Sequence, residues 1–216
     1  MIIRKYKPSD RKAVEFIQLS TYLVGKPIQP LMEHPEKLNK DIEYYLEHEQ
    51  ESCFVAVDKG KVIGYLLGCL DDKNHEESFA KFLGQSFIWL ISLPFMGIKD
   101  RRFYKGTIKV IFLAVLGKAG ESKFKTPKDS GHIHINLLPS ARGKGTGSRL
   151  LKEFFRYAKS KGVKRIHADS FQTRLNPNKN FWLKNGFKEY CKVESSMWKE
   201  YYPKEKIRLV CYIKGL

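Results

Sequence analysis

The residues best suited to chemistry lie between 139 and 147, where the chain reads Pro139-Ser140-Ala141-Arg142-Gly143-Lys144-Gly145-Thr146-Gly147. Glycine has no Cβ to hold a ligand away from the main chain, so three alternating glycines expose amide N–H groups. A helix beginning just after them adds its own unpaired N–H groups and the positive end of its dipole. Together these donors form a pyrophosphate site, with Arg142, Lys144 and Arg149 available to balance the charge. The spacing departs from two common phosphate fingerprints. A G-x-G-x-x-G run from Gly143 would need glycine where Ser148 stands, and there is no G-x-x-x-x-G-K-[ST] loop.

A second group of candidates precedes the loop. His132, His134 and Asn136 share one face of a predicted strand, because side chains alternate at period two. Histidine is the side chain suited to proton transfer near neutral pH, so His132 and His134 are candidate bases, with Asn136 beside them. The alternative is a pair of half-buried structural histidines. His167 and Asp169 alternate with Ile166 and Ala168 on the next predicted strand and neighbour the same site. Cys53, Cys69, Cys191 and Cys211 are widely spaced without a C-x-x-C pair, which points to reduced, buried thiols and to no metal site.

These residues need a strand, a helix and a second strand to position them. HIHINLL reads as a strand, SRLLKEFFRYAKSKG as a helix and RIHADSF as a strand. Leu150, Leu151, Phe154, Phe155 and Ala158 form the helix's apolar stripe. Two strands joined through a helix lie parallel, with a right-handed crossover. Upstream, Ile2 to Tyr6 reads as a strand, and Pro8-Ser9-Asp10 starts a helix carrying Ala13, Val14 and Ile17. Another helix is predicted from Pro35 to His48, with Leu38, Ile42, Tyr45 and Leu46 on one side. Cys53–Val57 and Val62–Leu70 form a hairpin about Gly60. Strands near Gly186–Cys191 and Lys206–Ile213 close the pattern.

The R-x-x-G-x-G run at Arg142, Gly145 and Gly147 begins three residues after a strand-closing proline, and NFWLKNGFKEY follows downstream with Gly186 as a helix C′ residue. In these features the chain resembles the GNAT superfamily of N-acetyltransferases. The order of elements agrees over 1–70 and 131–216; residue-level agreement is confined to Ile135–Gly147 and Phe181–Phe187. The resemblance implies an α/β (α+β) fold: a mixed, mostly antiparallel sheet of six to seven strands, one parallel pair joined by a helix, and helices on both faces. It implies one domain over 1–216, with 71–130 a helical, aromatic-rich insertion between the third and fourth strands.

The resemblance also implies direct acyl transfer from acetyl-CoA to an amine, without a metal. Backbone groups of Leu137 and Leu138 would meet the thioester and pantetheine. Arg142, Gly143, Lys144, Gly145, Thr146, Gly147 and Ser148 would hold the pyrophosphate, and Asn176 and Asn178 lie where relatives direct an asparagine at the cofactor. Trp182 occupies the place of the family's tyrosine acid and cannot protonate a thiolate. Tyr190, Tyr157 or water would substitute, or the chain would be a CoA-binding module without turnover.

The formal charge of +17 and the pI of 9.7 favour polyanionic partners, a polyphosphorylated cofactor among them. Lysines are scattered rather than gathered in one arm, which argues against a dedicated nucleic-acid tail, although ribosome or RNA association is an alternative. The most apolar stretch, Phe87 to Ile98, is broken by Pro94 and falls short of the about 20 residues a membrane span needs. Without a signal peptide the expected location is the cytoplasm. Phe79, Phe82, Phe87, Trp89, Phe95 and Phe103 would line an acceptor pocket or pack the insertion on the core. With Lys99, Arg101, Arg102 and Lys105 they would alternatively rest on a membrane surface. The expected assembly is a monomer or homodimer.

Overall fold

A computed structural model describes residues 1–71, 97–116, 120–174 and 178–216. Seven strands form one sheet in the order β1-β2-β3-β4-β5-β7-β6. They are β1 (Ile2–Lys5), β2 (Phe54–Asp58), β3 (Lys61–Cys69), β4 (Gly131–Leu137), β5 (Arg165–Gln172), β6 (Lys188–Glu194) and β7 (Arg208–Gly215). Among the described residues five α-helices cover it: α1 (Arg11–Thr21), α2 (Lys40–His48), α3 (Arg101–Val115), α4 (Thr146–Ser160) and α5 (Lys179–Lys184). The helix predicted from Pro35 starts as a 3₁₀ turn over Pro35–Asn39 and becomes α-helical at Lys40.

The alternation of each strand divides the core. Ile133, Ile166, Ala168, Val210 and Tyr212 face Leu150, Leu151, Phe154 and Ala158 of α4 and Trp182 of α5. Val55, Tyr65 and Leu67 face Val14 and Ile17 of α1 and Ile42, Tyr45 and Leu46 of α2. The α4 stripe seats closely because Gly68 leaves room: a Cβ there would fall 2.1 Å from Phe154 Cε2. The fully buried aliphatic and aromatic side chains of these two layers supply most of the burial that stabilises the fold.

A third cluster joins the end of α1 to the 22–32 connection and to Phe103, whose ring stacks on Trp198 at 5.5 Å. Phe103 is therefore a packed residue. Phe79, Phe82, Phe87, Trp89 and Phe95 lie outside the described residues. Among the described residues no helix is long and apolar enough to cross a membrane.

All neighbouring strands are antiparallel except β4 and β5. Those two pair in parallel at Gly131–Ile166 and His132–His167 only. Past His132 and His167 they part, leaving a gap that opens toward their C-terminal ends.

Candidate active site

The glycine loop sits at the mouth of this gap. Leu138 N–H donates to the Ile63 carbonyl at 3.0 Å, and a short 3₁₀ turn over Pro139–Ala141 follows. Gly143 and Gly145 then take φ of +73° and +76°, values that disfavour any residue with a Cβ. A Cβ at either would meet no atom within 4 Å, so the space over the loop is open. The first bond of α4 runs from Arg149 N–H to the Gly145 carbonyl at 3.1 Å. The amides of Gly143, Lys144, Gly145, Thr146, Gly147 and Ser148 consequently donate to no main-chain carbonyl among the described residues. Six successive donors at a helix N-terminus suit a pyrophosphate.

The structure separates residues that sequence placed together. Arg142 donates through Nε to the Leu137 carbonyl and through Nη2 to the Gly25 carbonyl, both at 3.1 Å. It braces the loop against the α1–α2 connection and, like Lys144 and Arg149, is exposed. Thr146 is buried with its hydroxyl on Met1 Sδ, so only its main chain can face a ligand. Gly147 serves packing: a Cβ there would lie 2.8 Å from Phe181 Cε2 of α5. Leu138 has both main-chain groups engaged, its N–H by Ile63 and its carbonyl by Ala141. By the alternation of an antiparallel ladder, Leu137 then turns its N–H toward the gap.

A polar row crosses the sheet face under α1 and α2. Tyr65 donates its hydroxyl to Gln18 Oε1 at 2.6 Å. Asn136 Nδ2 lies 3.0 Å from Gln18 Oε1, 2.9 Å from the Tyr65 hydroxyl and 3.0 Å from His134 Nε2. Asn136 thus sits at the centre of a half-buried network linking α1, β3 and β4. His132 Nδ1 and the Tyr45 hydroxyl share a 2.5 Å hydrogen bond.

The row continues onto β5. The rings of His132 and His167 lie 4.8 Å apart. Ser130 Oγ donates to the Pro127 carbonyl at 2.9 Å and lies 2.9 Å from His167 Nδ1. A hydroxyl has one hydrogen; with it on the Pro127 carbonyl, His167 donates from Nδ1 and Nε2 is left as the acceptor nitrogen of a neutral ring. Asp169 is solvent-exposed on β5; desolvation by its neighbours pushes its carboxyl up to about 7, against a lowering hydrogen bond from Cys211.

Nitrogens of His132 and His167 and an oxygen of Asp169 lie within 4.8 Å of one another, the set nearest to a metal site among the described residues.

Other predicted residues divide as follows. Asn178 donates to Ser170 Oγ and to the Phe171 carbonyl, fastening the start of α5 to β5. Asn176 lies outside the described residues. Trp182 is buried and stacks on Tyr212 at 5.6 Å, which makes it a core residue. Tyr157 sits on α4, across the sheet from the histidine row, bonded to Glu51. Tyr190 is half exposed on β6, the last strand of the sheet. Sequence reasoning missed Gln18, Tyr65 and Ser130 and read Tyr45 only as core; their partners are distant in the chain, and no local pattern marks them.

A seven-stranded mixed sheet with one parting parallel pair, an amide-rich loop at its mouth and helices on both faces defines an acyl-CoA N-acyltransferase-like fold. Residues 101–187 match the model of the acetyltransferase (GNAT) family. No curated protein sequence matches it. Among solved structures it is similar to SsHAT, with 21% identity, a TM-score of 0.63 and coverage of 99% of this chain and 97% of that one. It is also similar to the Drosophila melanogaster polyamine N-acetyltransferase, which forms N-acetylagmatine, at 15% identity, a TM-score of 0.58 and coverage of 100% and 99%. A third is an aminoglycoside 6′-N-acetyltransferase complexed with coenzyme A, at 12% identity, a TM-score of 0.56 and coverage of 100% and 97%.

Proposed function

We propose that the chain transfers an acyl group, most simply acetyl, from acetyl-CoA to an amine. The observation that carries this reading is the run of six amides, Gly143 to Ser148, at the mouth of the β4–β5 gap. Those amides hold the pyrophosphate of acetyl-CoA, with Lys144 and Arg149 screening its charge and Arg142 keeping the loop in place. Leu137 N–H faces the gap and polarises the thioester carbonyl. Asn178 positions the β5–α5 side of the same cleft. His132 and His134 relay the released proton away from the gap toward solvent, and Asn136 fixes His134. The amine nitrogen then forms a bond to the carbonyl carbon, the carbon–sulfur bond breaks, and the thiolate leaves with a proton from solvent. A thiolate leaves readily near neutral pH, so the absence of a tyrosine at Trp182 does not prevent turnover.

On this reading residues 1–216 are one domain whose 71–130 segment shapes the acceptor side. The protein works in the cytoplasm as a monomer or homodimer. The test is thiol release from acetyl-CoA, followed colorimetrically against polyamines, aminoglycosides and peptide amines. Amine-dependent release is expected. CoA binding without release for every amine would instead mark a binding module, and neither binding nor release would overturn the reading.

A further inference from the structure

The inner end of the β4–β5 gap carries a group that the phosphate loop does not explain. His132 and His167 are the last paired residues before the strands part, and Asp169 is the next side chain of β5 on the same face. Each neighbour is committed elsewhere. His167 is buried and held through Nδ1 by Ser130. His132 is held by Tyr45, and His134 and Asn136 belong to the network with Gln18 and Tyr65. Asp169 alone of His132, His167 and Asp169 is exposed to solvent, and a substrate must reach the group that takes its proton.

We propose that Asp169 binds the ammonium group of the acceptor and takes its proton, with His167 as the positioning residue whose tautomer Ser130 sets. This deepens the transfer reading and rests on it. It makes the acceptor an alkylamine that is cationic at neutral pH, because a carboxylate selects an ammonium over a neutral aromatic amine. The N–H bond of the ammonium breaks and its proton passes to an Asp169 oxygen. The nitrogen lone pair then forms the C–N bond as the C–S bond breaks. The nitrogen's second proton and then the carboxyl's proton pass to solvent, which protonates the leaving thiolate. A His167 nitrogen lies within 4.8 Å of an Asp169 oxygen, close enough for the ring to orient the carboxylate. Among the described residues, the titratable groups around Asp169 are His132 from β4, His167 from β5, Cys211 from β7 and, behind His132, Tyr45 from α2.

The experiment compares the full chain with Asp169→Asn, using acetyl-CoA and a panel of alkylamines and arylamines. For the wild type the rate should rise with pH through about 7, where Asp169 ionises. Asp169→Asn should lower kcat/KM for alkylamines by about 100-fold and remove that rise, with CoA affinity and melting temperature retained. Ser130→Ala should move the rise and lower the rate by about tenfold. If Asp169→Asn does not fold, Ser130→Ala decides: a moved pH profile supports the assignment and an unmoved one overturns it. Asp169→Asn within threefold of wild type with the same pH profile overturns the assignment alone, leaving the transfer reading standing. A wild-type chain that acetylates no amine sinks the transfer reading and this assignment with it.

Discussion

The hydroxyl of Tyr45, on α2, stands 2.5 Å from Nδ1 of His132, 87 residues later on β4. Tyr45 is 1% exposed, so its hydroxyl needs a partner inside the protein, and the histidine supplies it. A helix on one face of the sheet thereby fixes the ring that closes the β4–β5 gap.

Tyr45→Phe removes this support while keeping the ring. The loss of one buried hydrogen bond should cost about 1 kcal/mol in a urea melt. Misorientation of His132 should lower amine-dependent turnover by about tenfold, with coenzyme A affinity unchanged in a calorimetric titration.

Gly145→Val tests the loop. Its φ of +76° would place a β-branched residue in a region costing on the order of 1–3 kcal/mol. The loop should relax away from that conformation, raising the Kd for coenzyme A by about tenfold or more. The expected melting temperature changes little, since both the glycine and the space above it are open.

Asn136→Leu reads the polar row as a unit. Gln18 Oε1 and the Tyr65 hydroxyl would lose a donor and His134 Nε2 a neighbour in a half-buried setting. A destabilisation of about 1–3 kcal/mol is expected from denaturant melts, larger than for Tyr45→Phe. Gln18→Leu should add little on top of it, because both remove the same network.

What could be read from sequence and what could not separate by range. The 142–147 loop, its strand and its helix are local, and alternation, the apolar stripe of α4 and glycine chemistry suffice to place them. The polar row depends on how α1 and α2 lie across β3 and β4, and nothing in the periodicity of α2 distinguishes Tyr45 as a core residue from Tyr45 as the partner of His132. The packing contacts of Arg142 and Gly147 are hidden from the sequence for the same reason. Both look like ligand residues in a one-dimensional motif, yet one reaches the Gly25 carbonyl and the other makes room for Phe181. Trp182 illustrates the reverse case, since a motif position became a core aromatic once Tyr212 and Phe187 closed on it.

Acid stability should report on Asp10, at the start of α1. The Arg4 guanidinium, at 2.7 Å, and the Lys7 N–H hold its carboxyl below the usual carboxylate range. A depressed folded value means the unfolded chain binds the proton more readily, so this contribution is present above the unfolded value near about 4 and is lost as pH falls through the folded one. Asp10→Asn should therefore be less stable than wild type by about 1.5 kcal/mol at pH 7. Thermal melts should show the difference shrinking below about pH 4.

The central claim, that residues 143–148 anchor an acyl-CoA at the mouth of the β4–β5 gap, is tested most directly by titrating the ¹⁵N-labelled chain with coenzyme A and following its amide resonances. The account predicts that the largest shifts fall on Gly143 to Ser148 and on Leu137, with smaller ones along β5. Saturating coenzyme A that leaves these amides unmoved, or that moves a different surface instead, would contradict it.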